Sequence, residues 1–477
     1  MIEHFNLKAR GPRVLLLLVL GGISLLFFLP SSSTDRAEKW RAEMRAKGEK
    51  LTAAELISDL VLETNDCMDV LTTAAPALSS FSAASVRSTL PMPTNIPPGQ
   101  RRVAWTEPVC AGARGDTFDW EAIGKFIAEQ KNSYASVERA LENTENVPPW
   151  TPSLTNMAGI PGGTINLTKR TIAQALADAV TYELHTGNLP GALEHLLALI
   201  RLAKLHDKDL VFGTQMIRIA IEGLSIEITW QALQAQGWSD AQLASLQGEI
   251  EKLSFFPEIA RALEMERNRG MMWFDSMRSG NPLPGPSFRS SGALQGFFER
   301  TIVGPVWRRL WLLQDEMLYL KQMQSLIEDL RNLAKGQSSL IACTNSEARR
   351  RERGAGLASH TRYFLSSRLL PNYEKAMMTL VKNENLREMA IAAVALKRYQ
   401  LRNGNWPENL KPLLQELSHR AQRELADADA IRYHRNSNGT FLLYSVGFDG
   451  KDNGGDPDRD LVWPAPAWPE SISDQPP

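Results

Sequence analysis

"LADAVTYELHTGNLPGALEHLLALIRLAKL", residues 176–205, decides the fold class. Apolar residues recur at helical spacing on both sides of Gly187, and the glycine breaks the run. The same periodicity extends outward, so the chain from Thr168 to about Arg269 reads as nearly continuous helix. Gly237 and Pro257 are further breakers within it. Two capping boxes mark helix starts, Thr52 with Glu55 and Ser239 with Gln242. Residues 116–404 are therefore expected to be overwhelmingly α-helical, with antiparallel neighbours joined by short loops. The expected class is mainly α.

The chain has 477 residues, 43% hydrophobic and 22% charged, a globular composition long enough for two or three domains. A net charge of −1 argues against a general nucleic-acid binder, which needs a basic surface. Three cysteines, Cys67, Cys110 and Cys343, make neither a disulfide scaffold nor a metal knuckle. Cys67 and Cys110 either pair or stay separate thiols. Lys8, Arg10 and Arg13 precede an apolar run from Val14 to Leu29, and no small-x-small cleavage pattern follows Pro30. This pattern predicts a signal anchor over 1–34, uncleaved in preference to a cleaved signal peptide, and in both cases the bulk of the chain is exported. A helical domain is expected over 35–384 and a tail of different character over 385–477.

Tyr182, Ala192 and Leu193 around the "GNLPGAL" turn resemble a tetratricopeptide-type helix pair. An ordinary antiparallel hairpin fits the same residues, and repeat arrays need several stacked copies where one is visible. Residues 74–115 and 279–292 read as irregular connections. Arg349, Arg350, Arg351 and Arg353 read as a solvated helix face. Glu264 and Arg267, three apart, read as a helix ion pair. The seven histidines are scattered, and no hydrolase, phosphate-loop or dinucleotide motif is present.

In the tail, Leu386, Met389, Ala390, Ala393 and Leu396 form the apolar stripe of a helix that stops at Gly404. Two strands flank an Asn-Ser-Asn-Gly turn. The segment "YSVGFDGKDNGGDPDRDLVW", residues 444–463, then places Asp449, Asp452, Asp456, Asp458 and Asp460 within twelve positions among glycines. Hard cations such as calcium take six to eight oxygen ligands, and such a loop can supply them. Lys451 and Arg459 are the local counter-charges, and the loop lacks the terminal glutamate of an EF-hand.

Tyr399, Asn403, Gly404, Trp406, Pro407 and Leu410, followed by the aspartate loop, resemble in order the globular part of the major pseudopilins of type II secretion. That resemblance covers about 385–463. It implies a small α+β tail with a structural calcium ion held by Asp449, Asp458 and Asp460, with the carbonyl of Val446 assisting. Asp452 and Asp456 have no fixed counterpart. The N-terminal segment departs from the family: its apolar run, 14–29, has no glutamate, and the matching helix lies far downstream. The rest of the chain resembles membrane-anchored helical proteins of the bacterial envelope. Two functions follow. One is a non-enzymatic anchored protein on the extracytoplasmic side, with envelope proteins as partners in interaction or secretion-related assembly. The other is an exported helical hydrolase or transferase with an unrecognised site. A reporter enzyme fused to the C-terminus should be active only outside the cytoplasm, and cytoplasmic activity alone would refute the orientation.

Overall fold

A computed structural model of the chain describes residues 34–58, 66–79, 98–101, 103–108, 110–111, 117–142, 163–280, 304–335, 362–417, 431–436, 439–447 and 451–464. The apolar run 14–29, the arginine run 349–353 and Asp449 lie outside the described residues. Among the described residues no helix is long and apolar enough to cross a membrane.

Helices α1 (Thr34–Ala46) and α2 (Ala53–Ile57) form an N-terminal arm. Next come α3 (Cys67–Ser79), a two-residue antiparallel pair β1 (Cys110–Ala111) and β2 (Thr117–Phe118), α4 (Trp120–Glu129) and α5 (Lys131–Glu142). The quoted stretch forms the hairpin of α6 (Gly163–Thr186) and α7 (Leu189–Lys204). At its turn Gly187 has φ of 76°, and the Asn188 amide donates to the Glu183 carbonyl at 2.8 Å. Asn188 then caps α7 by accepting from the Gly191 amide. Both expected capping boxes form, at the starts of α2 and of α9 (Asp240–Glu251).

Between them runs α8 (Phe212–Leu233), which packs on both α6 and α7. After α9 come α10 (Phe256–Arg278), α11 (Gly304–Leu310), α12 (Leu312–Ala334) and the long α13 (Ser366–Asn403). α9 packs on α7 and α13, so the helices gather around α13. Where α10 crosses α12, Gly270 lets Tyr319 close in: a Cβ there would sit 2.2 Å from the ring.

From Met389 to Leu396 every α13 side chain is fully buried, on all faces of the helix. The single expected stripe accounts for only part of this, because α8, α9, α12 and a sheet enclose the helix together. That sheet has three antiparallel strands in the order β3 (Arg432–Arg435), β4 (Phe441–Ser445), β5 (Leu461–Trp463), with Arg435 opposite Phe441 and Leu443 opposite Trp463. The aspartate loop joins β4 to β5, and β4 and β5 pack on α13. One contiguous apolar cluster runs from Trp40 to Trp463. The expected boundary between 384 and 385 thus falls inside an unbroken helix of that cluster. Cys67 is buried in the same core, and burial followed by nearby Asp66 pushes its thiol up to about 11; the Cys110 side chain lies outside the described residues.

The arm lies on the other side, with α1 against α12 and α2 against α10. Between its helices Glu49 accepts from Arg267 and Arg331 at 3.1 Å and from Gln324 at 3.0 Å. Arg267 and Glu264 are not each other's ion-pair partners, as their spacing led us to expect. Arg267 takes Glu49, and Glu264 takes Arg331 at 2.7 Å. Burial disfavours the Glu49 charge, yet the bonds from Arg331 and Gln324 and the two guanidiniums outweigh it and hold the carboxyl down at about 2. A depressed carboxylate stabilises the fold above its unfolded pKa and loses that contribution as protons bind the native state. The thermal midpoint should therefore fall between about pH 4.5 and 2 more steeply in the native chain than in Glu49→Gln. Superimposable pH profiles would show that the clamp contributes nothing.

Candidate functional site

Asp460 organises the aspartate loop. It is 4% exposed, and its Oδ2 accepts from the amides of Gly455 at 2.7 Å and Asn453 at 3.1 Å. Its Oδ1 accepts from the amide of Gly447 at 3.4 Å, so one carboxylate ties together both arms of the loop. Gly447 is required there, because a Cβ would lie 1.6 Å from the Arg459 carbonyl oxygen. Gly455 has φ of 82° and faces Leu442.

The other aspartates are differently placed. Asp452 is exposed, accepts from the Gly454 amide at 2.9 Å and pairs with Arg432 at 3.2 Å. Asp456 accepts from the Asp458 amide at 3.1 Å, and its carbonyl accepts from the Asp460 amide at 2.7 Å. Asp458 is exposed, Val446 is buried at the end of β4, and Asp449 lies outside the described residues. The cation paired with Asp452 is thus Arg432 on β3, brought there by the sheet and invisible from the neighbours in sequence. Arg459 is 3.9 Å from Asp456. The donor chemistry, carboxylate and carbonyl oxygen, suits a hard cation. No group of three or more acidic, histidine or cysteine side chains among the described residues is arranged to hold a metal. Asp460, turned onto amides, has a loop-closing role that sequence alone did not separate from ligation. The signal was its position directly before β5, opposite Gly447.

Buried ionisable groups elsewhere in the chain have perturbed pKa values of the kind that also occurs at catalytic sites. Lys169 is fully buried, and burial, partly offset by Asp209, lowers its pKa to about 7. Its Nζ donates to the Leu205 carbonyl at 2.9 Å. His206 follows the end of α7 with φ of 62°; burial, then the charges of Lys169 and Arg218, push its pKa down to about 2, so its imidazole is neutral. Gln215 donates to the carbonyls of Asp207 and Asp209, and Arg218 to those of Ala203 and Ser254. These side chains solvate the carbonyls of a buried turn. In the α10–α12–α13 interior, Tyr373 donates to Glu266 at 2.9 Å, Arg269 pairs with Glu266 at 2.8 Å, and Tyr319 donates to the Glu266 carbonyl. Burial raises the Glu266 pKa. Arg387 bonds Glu384 at 2.7 Å and also Glu388, and lies 3.7 Å from Glu222. His195, on α7, meets Glu138 of α5 at 2.5 Å.

Comparisons of the chain with protein-family models, with curated proteins and with solved structures find no match.

The two kinds of aspartate make different predictions in calcium-free buffer. Asp460→Ala strips the acceptor from three amides and should lower stability by about 1–3 kcal/mol. Asp458→Asn, at an exposed position, should change it by less than about 0.5 kcal/mol. Equal effects in urea denaturation of the full chain would refute the assignment of Asp460 as the closing group.

Proposed function

We propose that this chain is a non-enzymatic scaffold of the bacterial envelope, anchored through residues 14–29, with a C-terminal loop ordered by one calcium ion. The observation that carries the scaffold reading is the closure of its perturbed groups onto structural partners. Lys169 is sealed against the Leu205 carbonyl and Glu266 against Tyr373 and Arg269, where no substrate reaches them. A hydrolase or transferase needs such groups open to substrate. The scaffold would present its surface to other envelope proteins.

For the ion, the loop offers the carboxylates of Asp449, Asp456 and Asp458 and the carbonyl of Val446, with Asp452 at the rim and Asp460 shaping the backbone. The ion would order the loop and supply no chemistry. The resemblance to the pseudopilin loop and the oxygen-only donor set support this assignment.

The test uses the full chain, because a fragment starting at 385 would cut α13 within its buried stretch. Binding to the native state alone stabilises by RT ln(1 + [L]/Kd), about 2.7 kcal/mol at a hundred times Kd. Calcium should raise the thermal midpoint after chelation, and magnesium should do so poorly, since it needs a tighter octahedral shell. Asp458→Asn should reduce the calcium increment without altering the calcium-free midpoint. Absence of any calcium increment at millimolar concentration would overturn the assignment.

A further inference from the structure

The arm docks on the seam between α10 and α12 through a row of polar groups and a few apolar side chains, Trp40, Met44, Leu51 and Leu56 among them. Between α1 and α2 the seam addresses three successive residues. Arg267, Arg331 and Gln324 grip the Glu49 carboxylate. Arg267 also donates to the Lys50 carbonyl at 2.8 Å, and Asn268 to the Leu51 carbonyl at 2.6 Å. The Leu51 side chain is buried beside them, 3% exposed. A second tether joins Arg41 to Glu316 at 3.0 Å and Asp275 at 3.2 Å. Under α2, Leu56 packs with Leu210 and Met265 in a small apolar cluster separate from the main core.

Trp40 and Met44 are the apolar holdfasts of α1 and set the main cost of detaching it. Around the clamp and Arg41, detachment would uncover guanidinium, carboxylate and amide groups, which water solvates well. The enclosed stretch of α13 is the opposite case, since exposing it means dismantling every helix around it. Interfaces rich in polar groups separate more readily than apolar cores, and units held by few apolar contacts open before the global fold does.

We propose that residues 34–58 are a releasable strap, lifting from α10 and α12 as one unit while the helices around α13 stay folded. Lifting exposes a groove that recognises a Glu-x-Leu segment: guanidiniums and an amide for the carboxylate, donors for the next two carbonyls, and an apolar seat for the leucine. The strap is the resident ligand of that groove and blocks it.

Hydrogen exchange followed by mass spectrometry on the full chain at neutral pH tests this. Amides of α1 and α2 should exchange about a hundredfold faster than those of 389–396, all through one opening. Glu49→Gln leaves Arg267 under-compensated and should speed exchange in α1 and α2 by a common factor of about tenfold or more. Exchange within 389–396 should not change. Arg331→Gln, altering the other side of the clamp, should give the same selective acceleration. Equal rates in the arm and in 389–396 would overturn the proposal. So would equal acceleration of both by Glu49→Gln, which would make the clamp part of the global fold. Acceleration confined to amides beside residue 49 would mean local fraying and would overturn it as well.

Discussion

Between Met389 and Leu396 the α13 helix shows no side chain to water, so each of its faces needs a neighbour. Fully burying a Met, Ile, Val or Leu side chain is worth about 1.5–3 kcal/mol, and this stretch buries one of each with four alanines, a strong local reason for the surrounding helices to gather. Directional bonds then fix where each neighbour sits. At the start of α13, Asp315 of α12 accepts from the amides of Leu365 and Ser366, capping a helix that has no cap of its own. Further along, Tyr373 reaches Glu266 of α10, Asn383 donates to the Ile219 carbonyl of α8, and Arg398 bonds Asp240 of α9. The apolar stretch drives the assembly, and these bonds set the order of helices along the spine.

Several of these bonds involve charges that burial disfavours. Arg218, Arg267 and Arg387 are among the largest fully buried side chains. Desolvating a guanidinium costs several kcal/mol, and its partners roughly restore that loss rather than exceed it. Their effect is therefore on geometry more than on net stability. Arg218 meets carbonyls on either side of α8, at Ala203 and Ser254, so it fixes the chain both before that helix and after α9. Asp315 shows the same tension: burial pushes its carboxyl up to about 6 against the amides that favour its charge.

Local features were legible in the sequence because their chemistry is local. The Gly187 turn, both capping boxes, the Gly404 stop and the Asn436–Gly439 turn each depend on residues within about five positions. Long-range pairings were not. Glu49 and Arg267 are 218 positions apart, and nothing near either marks the other. Ala392 and Ala395 fit an exposed or a buried helix face equally well, so the stripe was visible and the enclosure was not. In the loop, glycine spacing signalled a folded turn. Five aspartates look alike in sequence, and only burial and the strand register separate Asp460 from Asp458 and pair Asp452 with Arg432.

That separation determines what order in the loop can do for the rest of the molecule. Asp460 immediately precedes β5, whose Val462 and Trp463 are buried and whose strand rests on α13. Gly447, at the other end of the amide cradle, directly follows β4 and Val446. Closing the loop on Asp460 therefore fixes the pairing of Leu443 with Trp463 and seats β5 on the spine. Asp452 and Asp458, on the outer side, can exchange partners without disturbing that seat. A cation taken by the outer carboxylates would reach the core through the backbone that Asp460 already holds. Its influence would then extend along β5 to α13, and the loop would act as an adjustable end of the same spine that gathers the helices.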